Sequence, residues 1–500
     1  MRISFLLLLI AIAAACTKPN EGVCCVSEAD CARLGLDEPR PCEVGQACKA
    51  FACVAAECAT SAACTSPEAP VCVDGLCAAS CRIDDDCAGA AGGPRCAADG
   101  ACVGCLTGAD CPASAPFCDA DDRRCRGCDA DVDCASGVCL EADGRCAEPD
   151  ELVHVQRFGN DLGGCTSAAP CQTLSYALQQ VTPSRMVIRI TGGSLGEATP
   201  IAVDRSVVID ASDTSIGKPP GAPLFSVGPS VVQVTIVGVH LFGSSDPGDP
   251  TITVAAGSTL RIVRSSLNTS LVEVAGGGLE LRDVRIATSL QTMNAVRCTN
   301  GTVSARRVEF EHTTLTSTNC QVNVSRCRFD EVRDGSISAQ GGVVNIENNL
   351  VIQGYELADT MLVTGVAPAS TIRFNTFVNT SGVDSDGVAL HCDGTVMVTS
   401  NIFAYGSTHP LGGDGGTPCP TRFSLFDSVA VAQHTIGEGN QTGSAGTFFV
   451  NRAARDFRLS VVSPAKGAAE PGQQVAEDFE GNPRPAPIGS SADVGCFEAP

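Results

Sequence analysis

The chain has 500 residues, a formal net charge of −23 at pH 7, 31 cysteines, no tryptophan and 4% aromatic residues. A surface this acidic repels nucleic acid and unbridged polyanionic polysaccharides, so no nucleic-acid partner is expected. So many cysteines are typical of chains that oxidise to disulfides, which excludes a reducing cytosol.

The N-terminus has the pattern of an export signal. Arg2 gives it a positive start, and the apolar run from Phe5 to Ile12 is too short to span a bilayer. Residues 1–15 are therefore predicted to be a signal peptide. The signal ends either in an ordinary small-residue cleavage site or in a lipobox completed by Cys16. Setting Cys16 aside leaves an even number of cysteines both up to residue 146 and beyond it, which favours acylation of Cys16.

The segment around Cys16 resembles the start of bacterial lipoproteins. The resemblance implies a lipid-anchored tether at residues 16–23, with the membrane as a partner through the lipid. Thr17 rather than aspartate follows the cysteine, and in that class of protein this implies the outer membrane or the cell surface.

Residues 24–146 repeat a four-cysteine pattern in which five residues separate the first two cysteines. We predict disulfide-rich repeats with eleven bonds, mostly within five units, and with Cys24 and Cys53 as a surplus pair. The five units are Cys25, Cys31, Cys42 and Cys48; Cys58, Cys64, Cys72 and Cys77; Cys81, Cys87, Cys96 and Cys102; Cys105, Cys111, Cys118 and Cys125; and Cys128, Cys134, Cys139 and Cys146.

Acidic residues stand just before the second cysteine in several units. Asp129, Asp131 and Asp133 alternate, and residues 84–86 form a run of three aspartates. Calcium is the one cofactor that these residues suggest. They lack the glycine and the distal carboxylate of an EF-hand loop, so solvated acidic turns without a cofactor are the preferred interpretation.

From residue 183 to 447 the sequence repeats every 19 to 26 residues. Each repeat has an apolar anchor and another apolar residue five positions earlier. Two short strands with an inward period of two, joined at a bend, account for this spacing, and a third strand precedes them. Three strands per coil predict an all-β fold, a right-handed parallel β-helix preceded by the disulfide-rich array. The anchors are Leu241, Leu267, Ile286, Phe310, Phe329, Val351, Phe377 and Phe403.

Asparagine recurs at one position of the predicted corner. Asn349, Asn375 and Asn401 each stand two residues before an anchor. Inward amides repeated in register predict a ladder of hydrogen bonds along the stack. The ladder resembles the turn asparagines of pectate-lyase-like β-helices, and a structural role is preferred to a catalytic one.

The two ends of the predicted stack have their own signatures. Residues 147–152 form a linker, and residues 153–182 are predicted to cap the first strand edges with a helix near residues 173–181. The stretch 155–178 looks like the entry to bacterial surface β-helices.

Residues 448–500 resemble the C-terminal element of the choice-of-anchor Q family of surface β-helix proteins. The matching segments are Asp456-Phe-Arg-Leu459, Ser463-Pro-Ala465, Asp478-Phe-Glu-Gly-Asn-Pro-Arg-Pro485 and Asp493-Val-Gly-Cys-Phe-Glu498. Lys466 and Cys496 depart from the usual residues of that family. This difference argues against a shared binding role but not against a shared fold.

Eight cysteines lie beyond the array. Cys165 and Cys171 are expected to close a small loop before the cap helix. Cys298 and Cys320 lie on consecutive predicted coils, within disulfide reach of each other. The partners of the remaining four stay open.

Two groups of residues are candidates for catalysis. Asp384 and Asp386 are the acidic pair nearest to a glycosidase arrangement, but the polygalacturonase-like motifs that accompany such a pair are absent. The six histidines form no spaced metal pattern, so no metal site is expected from them.

The second group suits a lyase, which uses a basic residue beside acidic ligands in this fold. Arg285 and Arg328 each stand one residue before an anchor, with Asp283 and Glu309 nearby. Alternating charges on a solvated strand face are the preferred interpretation, because such pairs are common without catalysis.

The leading hypothesis is a non-enzymatic cell-surface lipoprotein that presents a β-helix for adhesion, glycan recognition or envelope architecture. A polysaccharide or another surface molecule is its expected partner. The alternatives are a polysaccharide lyase or glycoside hydrolase on the same fold and a purely structural spacer, since one fold supports all of these functions.

Overall fold

The computed structural model describes residues 24–499 except 26–30, 33, 35–37, 39, 40, 44, 45, 51, 67, 68, 113, 141, 142, 230, 231, 245, 247, 289–292, 333, 334, 355–358, 381–387, 395, 408, 414–418, 431–436, 474 and 488. The predicted signal peptide, the tether and Cys16 lie outside the described residues. The chain forms two compact units that divide between Ala147 and Glu148.

The first unit is a row of small antiparallel hairpins held by disulfides. Short 3₁₀ helices precede several of the hairpins: Ser61–Ala63, Asp84–Cys87, Gly108–Asp110 and Asp131–Asp133. The paired strands are Gln46–Lys49 with Ala52–Ala55, Val71–Val73 with Leu76–Ala78, Arg95–Cys96 with Cys102–Val103, Phe117–Cys118 with Cys125–Arg126, and Cys139–Leu140 with Arg145–Cys146.

Eleven disulfides lie in this unit, and each stays within one hairpin unit. In the last four units the first cysteine bonds to the third and the second to the fourth. The third and fourth cysteines face each other across the hairpin, as Cys72 and Cys77 do. Their partners therefore reach the hairpin from the preceding loop.

The predicted surplus pair Cys24–Cys53 is wrong. Cys24 bonds to Cys48 and Cys42 bonds to Cys53, while Cys25 bonds to Cys31. The reason is strand register, because Cys48 and Cys53 face each other in the first hairpin. They are therefore the third and fourth cysteines of that unit, and Cys25–Cys31 is the additional bond.

The second unit is a parallel β-helix of about nine turns. Each full coil contributes one strand to each of three faces, which we call sheets A, B and C in chain order. Sheet A has ten strands: Ile201–Val203, Phe225–Val227, Ile252–Ala255, Val272–Ala275, Met293–Thr299, Thr313–Thr318, Ile337–Gln340, Met361–Thr364, Leu390–Cys392 and Leu411–Gly413.

Sheets B and C are continuous with each other at the N-terminal end, where two long strands, Val207–Gly217 and Gln233–Phe242, serve both. Sheet B also contains Leu152–Gln156, Val187–Thr191, Thr259–Val263, Gly278–Arg282, Thr302–Arg306, Gln321–Ser325, Val343–Glu347, Thr371–Arg373, Met397–Thr399 and Thr421–Arg422. Sheet C also contains Ser194–Gly196, Ser266–Asn268, Arg285–Ala287, Glu309–Glu311, Arg328–Val332, Leu350–Gln353, Thr376–Asn379, Ile402–Ala404, Leu425–Asp427 and Gln441–Gly443.

One backbone feature makes the corner between sheets B and C. The residue three positions before each anchor has a positive φ, as at Asp283 (φ 55°) and Asn348 (φ 55°). This left-handed conformation is uncommon for residues other than glycine, asparagine and aspartate, and it turns the chain within two residues. The next residue then points inward, which is where the three predicted ladder asparagines lie.

The interior of the β-helix is a stack of apolar side chains from all three sheets. Aromatic anchors stack ring on ring in successive coils, with centroids 4.6 Å apart for Phe310 and Phe329 and 5.1 Å apart for Phe377 and Phe403. Burial of each such side chain contributes about 1.5–3 kcal/mol relative to exposure. The repeated anchor therefore stabilises the stack along its whole length.

A cap covers the first strand of sheet B. Helix α1, Leu174–Gln179, begins after Thr173, whose side chain accepts a hydrogen bond from the Tyr176 amide. The Arg185 guanidinium donates to the carbonyls of Leu152, Gly164 and Cys165. These bonds hold the cap loop against the strand edge, together with a disulfide between Cys165 and Cys171.

The C-terminal element packs on the outer face of sheet C. The strands Leu350–Gln353, Thr376–Asn379 and Ile402–Ala404 are buried on both faces. Their outward apolar residues form a second core with the C-terminal element, which begins in the structure at residue 445, three residues earlier than predicted, with helix α2, Ala445–Phe448, and continues with the hairpin of Phe449–Asn451 and Asp456–Leu459.

A buried arginine fixes this element to the B–C corner. Arg484 Nε donates to Glu498 Oε2 at 2.8 Å, and Arg484 Nη1 donates to Asn348 Oδ1 at 2.9 Å. Its guanidinium carbon lies 4.7 Å from the centre of the Phe374 ring. Burial raises the pKa of Glu498 above its usual range, against the opposing effects of the Ala486 amide and Arg484.

Candidate functional site

The C-terminal element forms a wall beside sheet B. Residues 470–473 and 475–477 run along the B–C corner: Arg373 Nη1 donates to Gln473 Oε1 at 2.9 Å, and Asn348 Nδ2 donates to the Glu477 carbonyl at 2.7 Å. Thr399 Oγ1 donates to Glu470 at 2.7 Å. The wall thus touches three successive coils and is parallel to the axis of the β-helix.

A groove lies between this wall and the outer face of sheet B. It consists of two adjoining hollows of about 430 and 320 Å³ that share Ser325 and Glu347. We call it the sheet B groove. Its floor comes from the strands Gln321–Ser325, Val343–Glu347 and Thr371–Arg373, and Val475, Ala476 and Glu477 line its wall side.

The floor contains a short column of neutral polar side chains. Thr371 Oγ1 donates to Asn345 Oδ1 at 3.1 Å, and Asn345 Nδ2 donates to Asn323 Oδ1 at 3.0 Å. These residues are in register across neighbouring strands of sheet B. The chain of hydrogen bonds orients the amides and leaves the Asn323 amide group at its end.

Three polar groups in the groove have no hydrogen-bond partner among the described residues. They are Asn323 Nδ2, which is a donor, Ser325 Oγ, which can donate and accept, and Glu347 Oε1, which is an acceptor. Donors and acceptors in one open groove match the hydroxyl groups of a ligand.

The charged residues of the groove are paired with one another. Arg373 donates through Nε and Nη2 to Glu347 Oε2 at 3.1 and 2.9 Å. Glu477 pairs with Arg326 and, at 3.3 Å, with Arg306. The groove therefore presents neutral polar groups and paired charges, with three arginines held by two glutamates.

The arginines proposed for a lyase are also held in ion pairs on the outer face of sheet C. Arg285 contacts Glu309 at 3.5 Å and pairs with Glu311. Arg328 pairs with Asp330 at 2.6 Å, and Arg455 of the C-terminal element contacts the same carboxylate. Neither arginine is among the residues that line the groove beside sheet B.

Asp283 lies at the B–C corner and pairs with Arg307 of the next coil. Burial opposes its negative charge, but the Arg307 guanidinium, at 2.5 and 2.7 Å, holds the pKa of Asp283 below its usual range. This is the arrangement of a structural ion pair. The other acidic candidates, Asp384 and Asp386, lie outside the described residues.

The aspartates that suggested calcium are bound to the backbone instead. Asp133 Oδ2 accepts from the amides of Asp129 and Ala130 at 2.9 and 3.3 Å and contacts Arg126 at 3.1 Å. Asp86 accepts from the amides of Arg82 and Ile83. Within the described residues, metal-ligand side chains cluster in threes only at cysteines that already form disulfides.

The three ladder asparagines are fully buried at successive B–C corners. Asn349 donates to Asn375, and Asn375 donates to Asn401, at 2.9 and 3.0 Å. The ladder continues to Cys327, whose amide donates to Asn349 Oδ1 at 2.8 Å. All of these groups form hydrogen bonds inside the stack and cannot reach a ligand.

Cysteines outside the array form three bonds: Cys165–Cys171, Cys298–Cys320 and Cys392–Cys419. Cys327 and Cys496 are buried thiols. Their presence weakens the argument from even cysteine numbers, because an even total does not require every cysteine to pair.

Sequence reasoning missed the groove entirely. One available signal was the absence of alternation in the strands Leu350–Gln353 and Ile402–Ala404, which are apolar on both faces. A strand of this type requires a cover on its outer side. The cover is the C-terminal element. The groove exists because the edge of that element, at Val475, Ala476 and Glu477, lies beside sheet B.

Among the described residues, no helix is both long and apolar enough to cross a membrane.

Comparisons with known proteins give few matches. No protein-family model matches the chain, and no curated protein matches it. The crystal structure of pectate lyase Pel9A is similar over 70% of this chain and 96% of that chain, with 13% sequence identity and a TM-score of 0.38. Tailspike protein 3 of bacteriophage CBA120 is similar over 57% of this chain and 59% of that chain, with 15% identity and a TM-score of 0.30. The β-helix assignment rests on the strand pairing described above, and the disulfide content indicates an extracellular or surface location.

Proposed function

We propose that this chain is an exported, lipid-anchored surface protein whose β-helix binds an extended polysaccharide in the sheet B groove without cleaving it. The observation that carries the proposal is the row of uncommitted polar groups at Asn323, Ser325 and Glu347 beside the wall. The order of the chain supports it, since a disulfide-rich array lies between the predicted anchor at Cys16 and the β-helix.

Binding without cleavage is favoured by the state of the charged residues. Glu347 and Glu477 are both ion-paired with arginines, and the basic candidates Arg285 and Arg328 are paired on another face. A glycosidase needs two carboxylates with different tasks on opposite sides of a bond. The groove offers oriented hydrogen bonds instead.

The resemblance of residues 448–500 to choice-of-anchor Q proteins supports a surface role as well. In this chain the element has a structural task, because it covers sheet C and supplies the wall of the groove. Adhesion through the groove is thus our proposal for the purpose of the whole arrangement.

The test is affinity electrophoresis of the secreted Cys16→Ser form in gels that contain defined polysaccharides. At least one polymer should retard the migration of the protein with its wild-type groove. The double variant Asn323→Ala/Asn345→Ala should lose this retardation. Asn268→Ala is the matched control, because Asn268 lies on the outer face of sheet C.

Each of the alternatives predicts a different result. Release of reducing or unsaturated ends from the polymer that retards the protein would show that the protein cleaves this polymer rather than only binding it. Mobility that no polymer changes would favour the structural spacer. Equal loss of retardation in the Asn268 control would locate binding elsewhere.

A further inference from the structure

We infer that the sheet B groove takes a neutral, hydroxyl-rich polysaccharide whose chain runs parallel to the axis of the β-helix. This inference rests on the proposed function and adds the charge class and the orientation of the ligand. It follows from the pairing of charges in the groove, from the direction of the wall and from the kind of side chain on the floor.

The charge class of the ligand follows from the ion pairs of the groove, in which each of the three arginines already has a glutamate partner. Arg373 is bound to Glu347 through two hydrogen bonds, so a ligand carboxylate would have to displace an existing partner. Arg326 and Arg306 are likewise engaged by Glu477. A polyanion would meet no free cation among these residues, and it would approach a chain with a net charge of −23.

A polycation is disfavoured by the same pairs, since the carboxylates of the groove are already neutralised. Glu347 Oε1 remains open, but its carboxyl group is shared with Arg373. The uncommitted groups are an amide donor, a hydroxyl group and one acceptor oxygen. Sugar hydroxyls, which donate and accept, satisfy such a mixed set without bringing in charge.

The orientation follows from the columns of the sheet. Asn323, Asn345 and Thr371 stand on successive strands that are about 4.8 Å apart. The wall contacts Asn348 and Arg373 on successive coils and thus borders the column lengthwise. A chain that lies along the column meets a polar group at every coil, whereas a chain that crosses it would run into the wall.

None of the described residues that line the groove is aromatic. Sugar rings therefore bind by their hydroxyl edges rather than by stacking on a ring face. An individual hydrogen bond contributes little net free energy, so single sugar units should bind weakly and long polymers should bind through several coils at once.

The experiment compares three polymers with the secreted Cys16→Ser form: a neutral glucan, polygalacturonate and chitosan. Retardation is measured between about 0.01 M and 1 M salt, over which the Debye length falls from about 30 to 3 Å. We expect the neutral glucan to retard the protein equally across this range. Asn323→Ala should weaken that retardation about three- to tenfold, as expected for the loss of one hydrogen bond, while Asn268→Ala leaves it unchanged.

Two results would overturn the inference in distinguishable ways. Retardation by polygalacturonate or chitosan that disappears at high salt, with none by the glucan, would make the charge class wrong while polymer binding stands. Failure of all three polymers to retard the protein at any salt concentration would remove the proposed function and the inference together.

Orientation is tested with two single variants on the same column. Ser304 lies one strand beyond Asn323 in register, and Thr371 lies at the other end. A ligand parallel to the axis should be weakened by bulky arginine at either position, Ser304→Arg or Thr371→Arg. A loss confined to one of the two variants would show that the ligand does not follow the column.

Discussion

Asn375 donates its side-chain amide to Oδ1 of Asn401, one coil further along the β-helix, at 3.0 Å. The same amide also donates to the carbonyls of Ile346 and Arg373, both at 3.0 Å. The two N–H groups of this one side chain are thus shared among acceptors on three coils at a buried corner. Its environment leads directly to a first prediction.

Asn375→Leu should destabilise the β-helix by about 1–3 kcal/mol for each buried group that it leaves without a partner. The control is Asn268→Leu on the outer face of sheet C, which should cost less than about 0.5 kcal/mol. Calorimetric melting of the full secreted chain compares the two. Equal melting temperatures would contradict the structural role of the ladder.

Glu498→Gln should loosen the C-terminal element. Arg484 would then keep its charge in a buried position with only neutral partners, at a cost of about 3–5 kcal/mol. Asp456→Asn is the control, because the Asp456–Arg458 pair is exposed to solvent and should contribute little to stability. Hydrogen exchange of residues 475–499 provides the measurement, and unchanged protection in Glu498→Gln would contradict the prediction.

His154 should make the N-terminal part of the β-helix sensitive to acid. Burial, followed by the charges of Arg185 and Arg189, lowers the pKa of His154 below its usual range. The unfolded chain therefore takes up this proton first as the pH falls through about 6.5, and the free energy of unfolding decreases below that pH.

The measurement is the change in melting temperature between about pH 7.5 and pH 5.5 for the wild type and for His154→Gln. The variant should lose less stability over this interval, since glutamine does not titrate. An identical loss in both proteins would show that His154 does not contribute.

Cys327 and Cys496 should resist alkylation in the native protein. Burial raises the pKa of both thiols to about 12, so almost no thiolate is present near neutral pH. Unfolding the secreted Cys16→Ser form without a reductant should then allow two alkyl groups per chain to attach. Cys327→Ser and Cys496→Ser should each remove one, and mass spectrometry counts them; rapid labelling before unfolding would contradict their burial.

Cys16→Ser should convert the protein from a membrane-associated to a released form. Acylation of Cys16 is proposed from the signal pattern, and a lipid chain would be the contact with the membrane. Fractionation of expressing cells into membrane and soluble material checks this. Continued membrane association of the variant would contradict lipid anchoring.

The sequence by itself determined the class of fold and its repeat. A period-two pattern with an apolar anchor in every coil buries its apolar side chains when strands of the same kind stack around one core. The corner asparagines could be placed from sequence for the same reason, because their position relative to the anchor fixes the direction in which they point. High cysteine content likewise identified an oxidising compartment.

Only the tertiary structure decided which cysteines pair and where a ligand can bind. Cys24 bonds to Cys48 because hairpin register brings Cys48 opposite Cys53, and register depends on turn geometry rather than on cysteine spacing. The groove requires Gln473 to meet Arg373, 100 residues earlier in the chain, and Glu477 to meet Asn348, 129 residues earlier. Such contacts arise from the docking of the C-terminal element on sheet C, a long-range packing event that no local pattern encodes.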